Sequence, residues 1–85
     1  MSLKQILEEK LQAAFTPSLL EVIDQSHLHQ GHLGDALNHE THFKIIIVSA
    51  AFKGLSRLEC HKKVYEALGE KLNKIHALSL SLKSP

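Results

Sequence analysis

The sequence predicts an α+β fold in which helices cover one face of a three-stranded mixed sheet. Two observations support this class. Two segments carry apolar residues at helical spacing behind capping-box signals, and three others have the apolar content or alternation of strands. Their order is helix, strand, strand, helix, strand. The strand–helix–strand crossover makes the last two strands parallel if they are neighbours, and residues 1–85 are expected to form a single domain.

The first helix begins at a capping box, with Ser2 at the N-cap and Gln5 three residues later. Apolar residues then recur at helical spacing as far as Phe15. The helix is expected to end at Thr16, because Pro17 disfavours the α conformation in the residue before it.

Two strands and a long connection follow. Residues 19–26 are rich in Leu, Val and Ile and predict a strand. Residues 27–40 have no periodicity and predict a connection of the length that is usually functional or disordered. Residues 41–49 are apolar at both parities toward their centre, which favours a central strand with at least partial cover on both faces.

The second half begins with a turn at residues 52–54, with a short helical turn as an option at residues 50–52. A capping box at Ser56 and Glu59 opens the second helix, and Gly69 weakens it by about 1 kcal/mol relative to Ala. One face of this helix is expected to carry Leu58, Val64, Tyr65, Leu68 and Leu72. The last segment alternates as a strand, with Leu78, Leu80 and Leu82 on one face.

Composition excludes several classes of protein. Ten basic and nine acidic residues give a formal charge of +1, which lends nucleic-acid binding little support. The single cysteine, Cys60, excludes an internal disulfide and a Cys-rich zinc site. No apolar run approaches the ~20 residues that span a bilayer, and the start lacks a signal-peptide pattern. We expect a cytoplasmic protein without a membrane association.

Seven histidines are the main chemical signal, and three of them, His27, His29 and His32, fall in one short stretch. Imidazole is the commonest metal ligand. This spacing could bring two imidazoles to one metal, but a structural zinc site needs four ligands. A solvated loop in which most of these histidines have no role is the competing interpretation. His76 shares the parity of the apolar face of the last strand, where a core histidine is the ordinary interpretation.

The remaining histidines predict structural roles. His61 lies on the apolar stripe of the second helix and is expected to be half-buried with a hydrogen-bond partner, while His39 and His42 are expected to be surface or edge groups. Cys60 and His61 face about 100° apart on a helix, so they do not form a nucleophile–base pair. No other catalytic arrangement emerges, and we expect no enzyme. The exposed cations are expected first to be a solvated face and second to contact phosphate: Arg57, Lys62 and Lys63.

Four blocks together resemble the BolA family: residues 26–32, 40–44, 61–68 and 75–79. The resemblance implies an α-β-β-α-α-β fold similar to a class II KH domain. It also implies a monothiol glutaredoxin as partner and a 2Fe–2S cluster shared with it and with glutathione. On this basis His76 corresponds to the family's C-terminal ligand, and the loop ligand falls on His32, with His29 and His27 as alternatives.

Two functions follow from this resemblance as hypotheses. The first is a non-enzymatic partner in iron–sulfur cluster trafficking or iron and redox regulation. The alternative is a DNA-binding transcriptional regulator that contacts phosphates through Arg57, Lys62 and Lys63. Neither involves a small-molecule substrate. In two places the chain departs from the family pattern: Cys60 replaces the usual basic residue before His61, and the span after His32 is about one residue longer.

Overall fold

A computed structural model describes residues 2–25, 42–75 and 77–85 and confirms the α+β prediction. It contains helices α1 (Leu3–Phe15) and α2 (Arg57–Leu68) and strands β1 (Leu19–Asp24), β2 (His42–Val48) and β3 (Ala77–Lys83). Short 3₁₀ helices occupy Ala50–Phe52 and Gly69–Lys74. The second of these takes the place of the additional helix that the family resemblance implies before the last strand.

The sheet has the order β1-β2-β3, so that the strongly apolar strand β2 is central, as predicted. Strand β1 is antiparallel to it, with Leu19 opposite Val48. Strand β3 is parallel to it, with His42 opposite Ala77, which confirms the predicted crossover. The boundaries differ slightly, because β1 ends at Asp24 and β2 ends at Val48, one residue short of the expected end.

Both helices lie on one face of the sheet and form the core with it. Along β2 the side chains alternate between buried and half-buried, because the two described helices pack on the same face of the sheet. The fully packed cluster combines the two helices, the 3₁₀ turn and the inner face of the sheet: Leu7, Leu11, Phe15, Val22, Phe43, Ile45, Ile47, Phe52, Cys60, Val64 and Leu68. Within the described residues no helix is long and apolar enough to cross a membrane.

Both helices begin at the capping boxes that the sequence predicts. The backbone N–H of Ser2 donates to Gln5 Oε1 at 2.9 Å, and Gln5 N–H donates to Ser2 Oγ at 3.2 Å. These bonds satisfy amide groups that a helix start otherwise leaves unpaired. Helix α2 ends at Leu68, and Gly69, its C-cap residue, has a φ of +54°. A residue with a Cβ is strained there, so Gly69 fixes the bend between α2 and the following 3₁₀ helix.

The buried face of α2 differs from the expected one. Its buried residues are Cys60, Val64 and Leu68, which repeat every four positions. Leu58 is 65% exposed and Tyr65 is 43% exposed, so the prediction that both lie on the apolar face is wrong. The physical reason is that Leu58 is two positions, or about 200°, away from Cys60 around the helix. The free thiol of Cys60 occupies the core position instead.

A single buried hydroxyl connects the end of α1 to the end of β2. Ser49 is 2% exposed, and its Oγ donates to the Phe15 carbonyl oxygen at 2.7 Å and accepts from Ala51 N–H at 3.1 Å. Ser49→Ala leaves both backbone groups without this partner, at an expected cost of about 1–3 kcal/mol in the free energy of unfolding. Urea denaturation measures the change.

Ser18→Ala is the matched control. The exposed Ser18 Oγ donates to the Val48 carbonyl oxygen at 3.2 Å, and water can replace it there. Its removal is expected to cost no more than about 0.5 kcal/mol. Equal losses in the two variants would mean that the Ser49 bonds add nothing beyond a surface contact.

Candidate functional site

Three chain segments meet at one end of the sheet. Strand β1 ends there, β2 begins there and β3 begins there, since Asp24 is opposite Phe43 and His42 is opposite Ala77. The backbone N–H of Gln25 donates to the His42 carbonyl oxygen at 2.8 Å, which extends the pairing by one residue beyond β1. We call this end, defined by Gln25, His42 and Ala77, the histidine end of the sheet.

The predicted ligands His27, His29, His32 and His76 lie outside the described residues. The described chain nevertheless fixes where their segments start and finish. Gln25 precedes the histidine stretch by two residues, and Ala77 directly follows His76 in sequence. Gln25 and Ala77 both flank His42, so the described residues that border the two predicted ligand segments lie at the same end of the sheet.

The two described histidines have different surroundings. His42 is half-buried at the start of the central strand. His61 is half-buried on α2, as predicted, and its ring lies 6.3 Å from that of Tyr65 in an edge-to-face arrangement. Within the described part of the chain the expected hydrogen-bond partner of His61 is absent, and the Tyr65 ring contact takes its place. His39 lies outside the described residues.

The three candidate phosphate-binding cations are all exposed on α2, but they do not form one surface. At 100° per residue, Lys62 lies about 140° and Lys63 about 240° from Arg57 around the helix. Arg57 continues the line of Cys60 at the start of the helix, whereas the two lysines lie on its outer side. The structure therefore separates Arg57 from the pair Lys62 and Lys63.

The Glu59 carboxylate belongs to the capping box of α2. The backbone N–H of Ser56 donates to Glu59 Oε1 at 3.0 Å. This hydrogen bond, with one from the Ser56 hydroxyl, holds the pKa of Glu59 below its ordinary value of 4.5, and Lys62 and Lys63 lower it further. A lowered pKa means that ionised Glu59 stabilises the fold above the pKa of the unfolded chain, and that this contribution is lost as the pH falls.

Glu59→Gln is expected to lower stability near neutral pH and to have progressively less effect as the pH falls through the carboxyl range. Glutamine keeps the acceptor oxygen, as Gln5 does in the first capping box, so the variant removes the charge and keeps the box. Urea denaturation of both proteins at a series of pH values from about 7 to about 3 measures the difference. A difference that stays constant with pH would contradict the lowered pKa.

Helix α2 carries an exposed stripe that contains Leu58 and Tyr65, which the sequence pattern assigns to the buried face. These residues are seven positions apart and therefore lie within about 20° of each other around the helix. The two side chains are the most exposed large apolar groups on α2. The signal that could have revealed them is the buried cysteine, because a core position at Cys60 excludes Leu58 from the buried face.

No group of three or more His, Cys, Asp or Glu residues that could hold a metal occurs within residues 2–25, 42–75 and 77–85. The described residues form a small α+β domain in which the end of β1 and the starts of β2 and β3 lie at one end of the sheet. Helices on one face and a mixed three-stranded sheet set the class. Comparison with known proteins gives the family.

The sequence profile described as BolA-like protein matches residues 11–85. The chain belongs to the BolA family. It is 44% identical over 86 residues to a DNA-binding transcriptional regulator BolA of Haemophilus influenzae, and the match covers 100% of this chain and 80% of that protein. It is 42% identical to the protein with the same description in Escherichia coli, with 94% and 73% covered.

Solved structures agree with the family assignment. The BolA domain of SufE1 from Arabidopsis thaliana has a TM-score of 0.88 and 40% identity, covering 100% of this chain and 94% of that one. BolA1 from the same plant has a TM-score of 0.86 and 39% identity, with 96% and 90% covered. The fold expected from the family resemblance is therefore confirmed.

Proposed function

We propose that this BolA-family protein is a non-enzymatic partner of a monothiol glutaredoxin that helps to hold a shared 2Fe–2S cluster. His76 and His32 are the proposed ligands from this chain, with His29 and His27 as alternatives for the loop position. The observation that supports the proposal is the position of Gln25 and Ala77, the described residues that border the two ligand segments. Both flank His42, so a single partner bound at the histidine end would lie beside both of them.

The donor set fits this type of cluster. Two imidazoles from this chain, the glutaredoxin cysteine and the thiol of bound glutathione give the four ligands that a 2Fe–2S centre needs. Replacement of thiolates by imidazoles on one iron raises the reduction potential of such a centre. Because only neutral imidazole coordinates a metal, His32 and His76 also make binding dependent on pH. Both properties suit a role in iron–sulfur trafficking or in iron and redox regulation.

Anaerobic co-purification with a monothiol glutaredoxin and glutathione tests the proposal. The expected result is a heterodimer whose visible absorption and circular dichroism differ from those of the glutaredoxin homodimer. A complex with unaltered spectra, or no complex at all, would rule the proposal out.

The loop ligand is tested separately with His32→Ala, His29→Ala and His27→Ala. We expect only His32→Ala to return the spectra of the heterodimer toward those of the homodimer, because the family resemblance assigns the ligand to the histidine after Gly31. The other two variants are the matched controls in the same loop. If His29→Ala or His27→Ala has the larger effect, the loop assignment moves to that residue.

A second candidate function, DNA binding, is favoured by the description of the Haemophilus influenzae and Escherichia coli relatives as DNA-binding transcriptional regulators. Lys62 and Lys63 are exposed beside each other on α2 and could contact phosphates. The near-neutral charge of the chain and the separation of Arg57 from the lysines weigh against a strong interaction.

Fluorescence anisotropy with a duplex distinguishes this second function. Phosphate contacts predict an affinity that falls steeply between about 20 and about 200 mM salt, and a shallower slope for Lys62→Gln combined with Lys63→Gln. No binding at the lower salt concentration would remove this candidate. Neither result depends on iron or glutaredoxin.

A further inference from the structure

A groove of about 460 Å³ lies between the first two turns of α2 and the second half of β3. It is distant from the histidine end of the sheet. Ala77 begins β3 at that end, whereas Lys83, opposite Val48, is six residues further along the strand. Six residues of strand correspond to about 20 Å, so the groove is a separate surface from the proposed ligand segments.

The groove combines an apolar floor with a cationic rim. Leu80 and Leu82 are half-buried in its floor, and Arg57 and Lys83 are exposed on its rim. None of the residues that line it is acidic. Among the residues that the structure describes, neither Arg57 nor Lys83 has an ion-pair partner. The imidazole of His61 also lines the groove. The rim is therefore complementary to negative charge.

The groove also runs beside an open strand edge. Strand β3 is the last in the sheet order, and within the described ranges no strand pairs with its outer side. The Ser49 N–H donates to the Lys83 carbonyl oxygen at 2.9 Å, so Lys83 directs its backbone groups toward β2. Backbone groups alternate along a strand, and those of Leu80 and Leu82 therefore point to the free edge.

We propose that the α2–β3 groove binds an extended acidic peptide segment of a partner protein. The segment adds to the edge of β3 through the backbone groups of Leu80 and Leu82, and its carboxylates pair with Arg57 and Lys83. Strand addition of this kind takes affinity from main-chain hydrogen bonds and specificity from side-chain pockets beside the edge. The outward-facing backbone groups favour a peptide over a small anion, which would use the rim alone.

The opposite edge of the sheet supports this choice by contrast. A second groove lies between α1 and β1, and Glu8 and Glu9 line it. An acidic strand would meet carboxylates there and cations beside β3. Charge therefore directs an acidic segment to β3 and away from β1.

The probe is a displayed library of random peptides of about seven residues, selected on the full chain without iron or glutaredoxin. We expect enrichment of Asp and Glu at alternate positions. A fluorescein-labelled copy of an enriched peptide should bind Arg57→Gln/Lys83→Gln at least about tenfold more weakly than the wild type. Lys10→Gln/Lys74→Gln removes the same charge at exposed positions that do not line the groove, and it should leave the affinity unchanged.

Amide hydrogen exchange locates the bound peptide. Protection should appear at Leu80 and Leu82, whose amides face the free edge, while Ser79 and Ser81 stay as they are because β2 already holds them. The proposal is overturned if selection enriches no peptide, if both double variants lose affinity equally, or if protection appears on β1. Inorganic phosphate that displaces the peptide at low millimolar concentration would indicate a simple anion site and would also overturn it. All these results are independent of the proposed cluster.

Discussion

Ile45→Ala is expected to lower the free energy of unfolding by about 2–5 kcal/mol, the range for truncating a buried isoleucine. Ile45 is 0% exposed at the middle of the central strand and packs in the cluster formed by both helices and the sheet. A domain of 85 residues has a total stability of roughly 4–13 kcal/mol. This one substitution is therefore expected to remove a large share of it, as measured by urea denaturation.

Ile46→Ala is the matched control, because the same side chain is removed one residue along the same strand. Ile46 is half-buried and points to the face of the sheet opposite the described helices α1 and α2. Both variants lose the same intrinsic preference for strand structure. The difference between them isolates burial against the helices, and we expect Ile46→Ala to cost well under half as much. Equal losses in the free energy of unfolding would mean that Ile46, on the face opposite the helices, stabilises the fold as much as Ile45 in the core.

The elements that were predicted correctly are those with strong local signals. The capping boxes at Ser2 and Ser56 mark both helix starts. The end of the second helix was not predicted, because the sequence places Leu72 on its face, whereas α2 ends at Leu68, before Gly69. Strand β2 was predicted to be central because both of its faces are apolar, and the sheet order confirms this. Local propensity, capping and apolar pattern all agree at these positions, which is why the sequence alone is sufficient there.

The buried face of α2 was predicted wrongly because it depends on contacts with elements that are distant in sequence. Leu58 is as hydrophobic as Leu68, Tyr65 has a large apolar ring, and their spacing is compatible with a helical stripe. Which of two overlapping stripes is buried depends on how the helix is rotated against the sheet. That rotation is set by contacts of Val64 and Leu68 with other elements, and these contacts leave no trace in the local sequence.

The candidate site also has one part that the strand order predicts and another part that it does not. The register of the sheet places Ala77 and Gln25, the described residues that border the predicted ligand segments, on either side of His42. The choice of His76 and His32 as ligands comes from the family resemblance, because periodicity alone made His76 an ordinary core histidine. The basic groove beside β3 could not be predicted, because Arg57 and Lys83 are 26 positions apart in sequence and line the same groove only once the chain is folded.

His76→Ala is expected to have the largest functional effect. If His76 is a cluster ligand, alanine removes one of the two donors that this chain supplies to the cluster. The heterodimer spectra should then revert to those of the glutaredoxin homodimer, and the lifetime of the bound cluster under mild chelation should fall at least roughly tenfold. Visible circular dichroism and a chelator time course measure the two quantities.

Two controls separate ligation from simple loss of structure or of contact. His61→Ala removes an imidazole from α2, which is not the element that carries the proposed ligands, and should leave the spectra unchanged. The affinity of the metal-free His76→Ala protein for the glutaredoxin, measured by titration calorimetry, should stay within about fivefold of wild type, because truncating most interface residues costs less than about 1 kcal/mol. Loss of metal-free binding together with the spectra would make His76 a docking residue. Unchanged spectra and cluster lifetime would exclude His76 from coordination. The ordinary core histidine that the apolar pattern predicts would then be the remaining interpretation.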